Sequence, residues 1–154
     1  MILLWHGSDP VGICVFATPA ASLSLRSRFF GLANPRTRVA MTALNRQLWL
    51  LQRVVIHPTY RGAGIAAAFV RRACELCEVD WIETLSAMGQ ANPFFEKAGF
   101  TRVGIVAKSR SSVNGAYGSR RRSVDTHPFS EPVYYVFDNR RRSPTNLDQP
   151  HSLT

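Results

Sequence analysis

The sequence predicts a mixed α/β domain, and three observations carry that prediction. An apolar run rich in β-branched and large residues, Leu48 to Ile56, empties into a glycine turn that opens an amphipathic helix. A second apolar run, Trp81 to Met88, leads into a short segment stopped by Gly99. Strand-like pairs stand on either side of this strand–helix–strand unit, which adds antiparallel hairpins to one parallel connection. At 154 residues and 45% hydrophobic content, the chain can bury the core of one domain.

Taken in order, Ile2 to Ala17 reads as a hairpin turning at Gly7-Ser8-Asp9-Pro10. A long insertion, 19–47, follows. Leu48 to Ile56 is the central strand, ended by Pro58. Ile65, Phe69, Ala73 and Leu76 then recur at helical spacing, with Arg71, Arg72 and Glu75 elsewhere on the wheel, so the main helix spans Ala63 to Cys77. Trp81 to Met88 is the next strand, parallel to the central one. Asn92 is a good N-cap, Pro93 suits the first helical position and Gly99 supplies a left-handed stop, which predicts a short helix from Asn92 to Ala98. Phe94, Phe95 and Phe100 read as core packing. Thr101 to Ala107 and Val133 to Phe137 close the sheet as a hairpin with a long loop. A domain over 1–138 results, with insertions at 19–47 and 108–132. The tail 139–154, Arg140-Arg141-Arg142 followed by Ser, Pro, Asn and Gln, reads as disordered.

Composition excludes several classes. No apolar run approaches the roughly 20 residues of a membrane helix. Met1 to Trp5 lacks the basic start of a secretory signal and is broken by His6-Gly7-Ser8-Asp9-Pro10. Cys14, Cys74 and Cys77 form no disulfide framework and suit a reducing cytoplasm. Cys74-Glu75-Leu76-Cys77 has no second Cys/His pair at a suitable spacing, so no metal is predicted and the pair reads as helix packing.

The turn Arg61-Gly62-Ala63-Gly64-Ile65-Ala66 carries the first chemistry. The opening N–H groups of a helix have no partner within it. Gly62 and Gly64 remove the side chains that would keep an anion from those donors, the helix dipole favours negative charge there, and Arg61 adds a charge-assisted contact. The same residues also fit a plain tight strand-to-helix turn. Other phosphate loops fit badly: no Lys-Ser/Thr follows the glycines, and Gly-x-Gly-x-x-Gly is not present.

Two segments together resemble the GCN5-related N-acetyltransferase (GNAT) superfamily. One is this turn, with Arg61, Gly64 and Ala66 at the defining positions of the acyl-CoA signature. The other is Asn92-Pro93-Phe94-Phe95-Glu96-Lys97-Ala98-Gly99-Phe100, which is similar to the family's closing helix. The resemblance is firm from Leu48 to Ala107. It implies a mostly antiparallel sheet with a splayed parallel strand pair and flanking helices. It also implies an acyl-CoA N-acyltransferase with acetyl-CoA as co-substrate, in which a neutral amine attacks the thioester directly. By position, Val54, Val55 and Ile56 would meet pantetheine and thioester through the main chain, and Arg61, Gly62, Ala63, Gly64, Ile65 and Ala66 would hold the pyrophosphate.

The chain departs from the family in four places. Phe95 takes the position of a tyrosine that protonates the departing thiolate, so it would touch the cofactor without donating. Met88 replaces an asparagine, and Leu51, Gln52 and Arg53 stand where a strand glutamate is common. Glu83 and Tyr134 are the substitutes named as catalytic, with His57 and Tyr135 behind them. Finally, the family usually opens with a strand and two helices that wall the acceptor site, whereas this chain reads as starting at the second strand. That departure predicts a homodimer or a partner segment covering the exposed sheet.

Charge is the remaining signal. The net charge is +9, and arginine supplies 17 of the 19 basic residues. Pro19 to Gln47 and Thr101 to Val124 contain basic residues and no acidic one. These loops point to an acceptor that is anionic or linked to nucleic acid, with Phe29, Phe30 and Tyr117 available to stack on bases. A solvated, arginine-biased surface explains them as well. Two functions follow: an N-acetyltransferase using acetyl-CoA and an amine acceptor, favoured by the intact signature, or an inactive CoA-fold module for nucleic-acid binding or assembly, favoured by the missing tyrosine and wall.

Overall fold

Two apolar runs either side of Gly7-Ser8 form the expected hairpin, β1 (Ile2–His6) and β2 (Asp9–Ala17). The computed structural model describes residues 1–32, 37–106 and 131–140. After β2 come α1 (Ser24–Phe30), α2 (Arg38–Gln47), β3 (Leu48–Ile56), α3 (Ile65–Glu75), β4 (Trp81–Ser86), α4 (Phe94–Lys97), β5 (Thr101–Ile105) and β6 (Val133–Asp138). The six strands form one sheet in the order β1-β2-β3-β4-β6-β5. Only β3 and β4 run parallel; every other neighbouring pair is antiparallel. The fold class is the one the sequence predicts.

Parity along the strands sorts side chains between two layers. Cys14, Leu51, Ile56, Ile82 and Tyr135 point to one face, where Phe69, Val70 and Ala73 of α3 and Phe95 of α4 complete the core. Arg71 ties the two helices together, donating from Nε to the Ala98 carbonyl at 3.2 Å and from Nη2 to that of Lys97 at 3.1 Å. The other face carries Glu83 and Tyr134, and α1 lies on it, with Leu25 against Gly104 of β5.

Several expectations change. The 19–47 insertion is not simply loop: α1 and α2 form within it. Thr37 caps α2 by accepting from the Ala40 N–H, while α1 closes on Gly31. Both helices follow β2 and precede the central strand β3. They cover part of the face expected to be bare, so the argument for self-association narrows to the outer edge of β1. The main helix starts at Ile65, because Ala63 and Gly64 are still in the turn. Asn92 is not the cap of α4; Pro93 occupies that position and makes no side-chain cap bond.

Asn139 is 2% exposed rather than part of a loose tail, its Nδ2 donating to the carbonyls of Cys77 and Val79 at 2.9 Å each. Arg140 pairs with Asp138 at 2.7 Å and lies 4.4 Å from the Trp81 ring centre. Residues 107–130, with most of the expected 108–132 insertion, and 141–154 of the expected tail lie outside the described residues. Among the described residues no helix is long and apolar enough to cross a membrane.

All three cysteines are buried, Cys14 and Cys74 completely. Burial pushes the Cys14 thiol up from 9.0 to about 12, with the neighbouring Cys77 adding to the shift. A thiol whose folded-state value lies above its unfolded one leaves stability unchanged below the unfolded value and removes it as pH climbs toward the folded value. Urea midpoints should therefore be flat up to about pH 9 and decline from there toward 12. Cys14→Ala should flatten part of that decline; an unchanged slope would show that this thiol contributes nothing to it.

Candidate functional site

The site begins where the parallel pair comes apart. β3 and β4 pair only through Leu48–Trp81, Trp49–Ile82 and Leu50–Glu83. Just beyond, Thr84 Oγ1 bridges them by donating to the Leu51 carbonyl at 2.9 Å. On its other edge β3 stays paired with β2 as far as Gly12–Ile56, interrupted by a bulge at Gln52 between the Phe16–Leu51 and Val15–Arg53 pairs.

Backbone direction in the splayed part follows from one bond. The His57 N–H donates to the Val11 carbonyl at 2.8 Å. Antiparallel strands alternate the edge to which each residue turns its N–H and C=O. Ile56 and Val54 therefore turn theirs away from β2 into the gap, and Val55 turns its own toward β2. The Ile56 carbonyl accepts from Arg61 Nε at 3.0 Å, as this geometry requires. Of the three predicted main-chain contacts, two face the gap.

The chain then makes one short helical turn, Pro58–Tyr60, with His57 Nδ1 accepting from the Thr59 N–H at 3.4 Å. Gly62 and Gly64 follow at φ +83° and +75°. Both sit in the left-handed region that side chains disfavour. Gly64 is the N-cap of α3 and offers no side-chain acceptor to its first N–H groups. A Cβ placed at either glycine would meet nothing within 4 Å. The helix start is thus uncapped and has open space before it, a donor set that fits a phosphate group, with Arg61 three positions ahead of Gly64 in the same turn. Gly64 also borders an open cavity of about 460 Å³ lined by Ala67, Ala68, Arg71, Arg72, Glu75 and Lys97.

Phe95 packs in the core rather than lining open space. It is 9% exposed, with ring centres 4.8 Å from Phe94, 5.3 Å from Phe100 and 5.5 Å from Tyr135. Tyr135 donates to the Gly89 carbonyl at 3.1 Å, and burial, followed by the Glu96 carboxylate, raises its phenol. The approach there is close: a Cβ on Gly89 would stand 2.8 Å from Val133 Cβ and 2.9 Å from the Tyr135 ring.

Glu83 and Tyr134 lie on the opposite face in a closed network. Arg26 of α1 donates from Nε to Glu83 Oε2 at 2.8 Å and from Nη2 to Oε1 at 2.7 Å; its Nη1 reaches the Ala20 carbonyl at 2.7 Å. Tyr134 donates to Glu83 Oε2 at 2.9 Å. Arg26 is 1%, Glu83 2% and Tyr134 0% exposed. Burial, with the Glu83 carboxylate beside it, pushes the Tyr134 phenol well above its usual range, so it stays protonated. Burial would lower Arg26, but its hydrogen bonds to Glu83 outweigh this and hold it above its ordinary value. Both carboxylate oxygens are taken.

Sequence reasoning missed Arg26 as a buried partner: it counted it only within the basic 19–47 insertion, which fitted an anionic acceptor as well as a solvated, arginine-biased surface. The available signal was Glu83 itself: a carboxylate inside the apolar run Trp81-Ile82-Glu83-Thr84-Leu85 requires a buried cation. Phe29 and Phe30, considered for stacking on bases, pack against Trp81 with centres 6.2 and 5.1 Å away. Tyr117 lies outside the described residues.

An acetyltransferase (GNAT) domain profile matches residues 26–102, which is 77 of the 154. No match was found among curated protein sequences. Among solved structures, AAC(6')-Ib in complex with paromomycin and acetyl-CoA is similar at 19% identity and a TM-score of 0.51, over 96% of this chain and 68% of that one. The aminoglycoside acetyltransferase AAC(6')-Ib with coenzyme A and kanamycin is similar at 20% identity and a TM-score of 0.50, over 92% and 69%. At these identities the likeness is one of fold.

Proposed function

The chain belongs to the GNAT acetyltransferase family and is an acyl-CoA N-acyltransferase with acetyl-CoA as co-substrate; from that premise we propose how its own residues hold the donor and pass the acetyl group to an amine. One observation carries the reading: the uncapped start of α3, kept open by Gly62 and Gly64, lies at the end of the strand that splays from its parallel neighbour. The N–H groups at Ile65 and Ala66, with Arg61 beside them and Gly62, Ala63 and Gly64 shaping the approach, bind the pyrophosphate. Val54 and Ile56 present their backbone groups to the pantetheine arm in the gap. A gap N–H polarises the thioester carbonyl as negative charge develops on its oxygen.

Proton handling is read here without Glu83 and Tyr134 as acid or base. Their network pins α1 to the sheet, so we assign them a positioning role. Phe95 supports the site floor through Tyr135 and donates nothing. The amine therefore attacks in its neutral form and gives its proton to water. A thiol with a pKa of about 8.5 leaves as thiolate without an acid.

Acetyl transfer is tested by incubating the protein with acetyl-CoA and a panel of primary amines, following thiol release together with acetylated amine by mass spectrometry. The expected result is thiol release that depends on an amine and matches the acetylated product. Thiol release equal with and without amines would identify a hydrolase and overturn the proposal.

A further inference from the structure

Among the described residues, Arg53 has no partner, and it stands on the sheet face that bears Glu83. Val54 packs against the core and Ile56 lies within it, so alternation along β3 turns Arg53 to the opposite face. Arg53 is exposed and, among the described residues, makes no hydrogen bond or ion pair. It adjoins the Gln52 bulge, three residues beyond the last parallel pair, where β3 and β4 have separated. The carboxylate on this face of β4, Glu83, is neutralised by Arg26. Val55 and Leu85 share the face at 41% and 44% exposure, so apolar surface accompanies an uncompensated positive charge.

We propose that Arg53 selects the acceptor: an amine that also carries a carboxylate or phosphate, gripped by the guanidinium through paired N–H···O bonds. The inference rests on the donor-site reading above and adds the acceptor's chemical class. A cation beside the amine also disfavours its ammonium form, which eases proton loss to water where no carboxylate is free to act as base. The amine lone pair then forms the N–C bond, and the C–S pair departs on sulfur as the thiolate. A polycationic amine would meet like charge at the same point.

The test uses the full chain with acetyl-CoA and two probe pools at equal concentration. The anionic pool is phosphoethanolamine and glycyl-aspartate; the other is ethanolamine, glycyl-lysine amide and spermidine. The wild type is expected to acetylate the anionic pool. Arg53→Glu should lower kcat/KM on that pool by about tenfold or more, equivalent to about 1.4 kcal/mol, and raise it on the cationic probes with the acetyl-CoA Kd unchanged. A wild-type preference for the second pool, an unaltered profile in Arg53→Glu, or binding of acetyl-CoA without turnover of any anionic probe would each overturn the assignment. Absence of acetyl-CoA binding would overturn the donor-site reading and this one with it.

Discussion

Gly64→Leu is expected to abolish detectable acetyl-CoA binding in a protein that still folds. Gly64 holds φ +75°, where an L side chain costs about 1–2 kcal/mol. That is a minor part of the roughly 5–15 kcal/mol by which domains are stable. Its Cβ would meet nothing within 4 Å in the protein, so no core contact is disturbed. The added side chain instead fills the space before the α3 N–H groups, where the pyrophosphate must sit. Calorimetric titration paired with a urea melt separates the two effects. Wild-type affinity in Gly64→Leu would place the donor elsewhere.

The second large effect concerns Arg26 and Glu83. Removing one partner of a buried ion pair strands the other's charge, at a cost of about 3–5 kcal/mol. Replacing both with well-packed apolar side chains of similar volume is often neutral. Arg26→Met and Glu83→Gln should each lower the urea midpoint sharply, while the double variant, which leaves no charge unpaired, should recover much of the loss. Turnover supplies the discriminating readout. If the pair only pins α1, the double variant recovers activity along with stability. If Glu83 were the general base, activity would stay lost in every variant carrying Gln at 83, however well folded.

What was legible in the sequence was local. Leu48 to Ile56 announces a strand by its apolar run, and the α3 face by the spacing of Ile65, Phe69 and Ala73, because both signals lie within one element. Gly62 and Gly64 mark the turn for the same reason: the left-handed backbone is written in the residue type. Arg26 was hidden because its partner is 57 positions away, so nothing near α1 distinguishes a buried guanidinium from a solvated one. Asn139 was read as tail because the Cys77 and Val79 carbonyls that bury it converge only in the folded sheet. Glu83 and Tyr134 were correctly placed on strands. Their face could not be inferred, since strand parity says that Glu83 opposes Ile82 but not which side α3 covers.

The central claim is that acetyl-CoA binds at the splayed end of β3 and the start of α3. Calorimetric titration of the full wild-type chain with acetyl-CoA tests it most directly. One site per chain with a micromolar dissociation constant is the predicted result; a folded protein that gives no binding signal would contradict it.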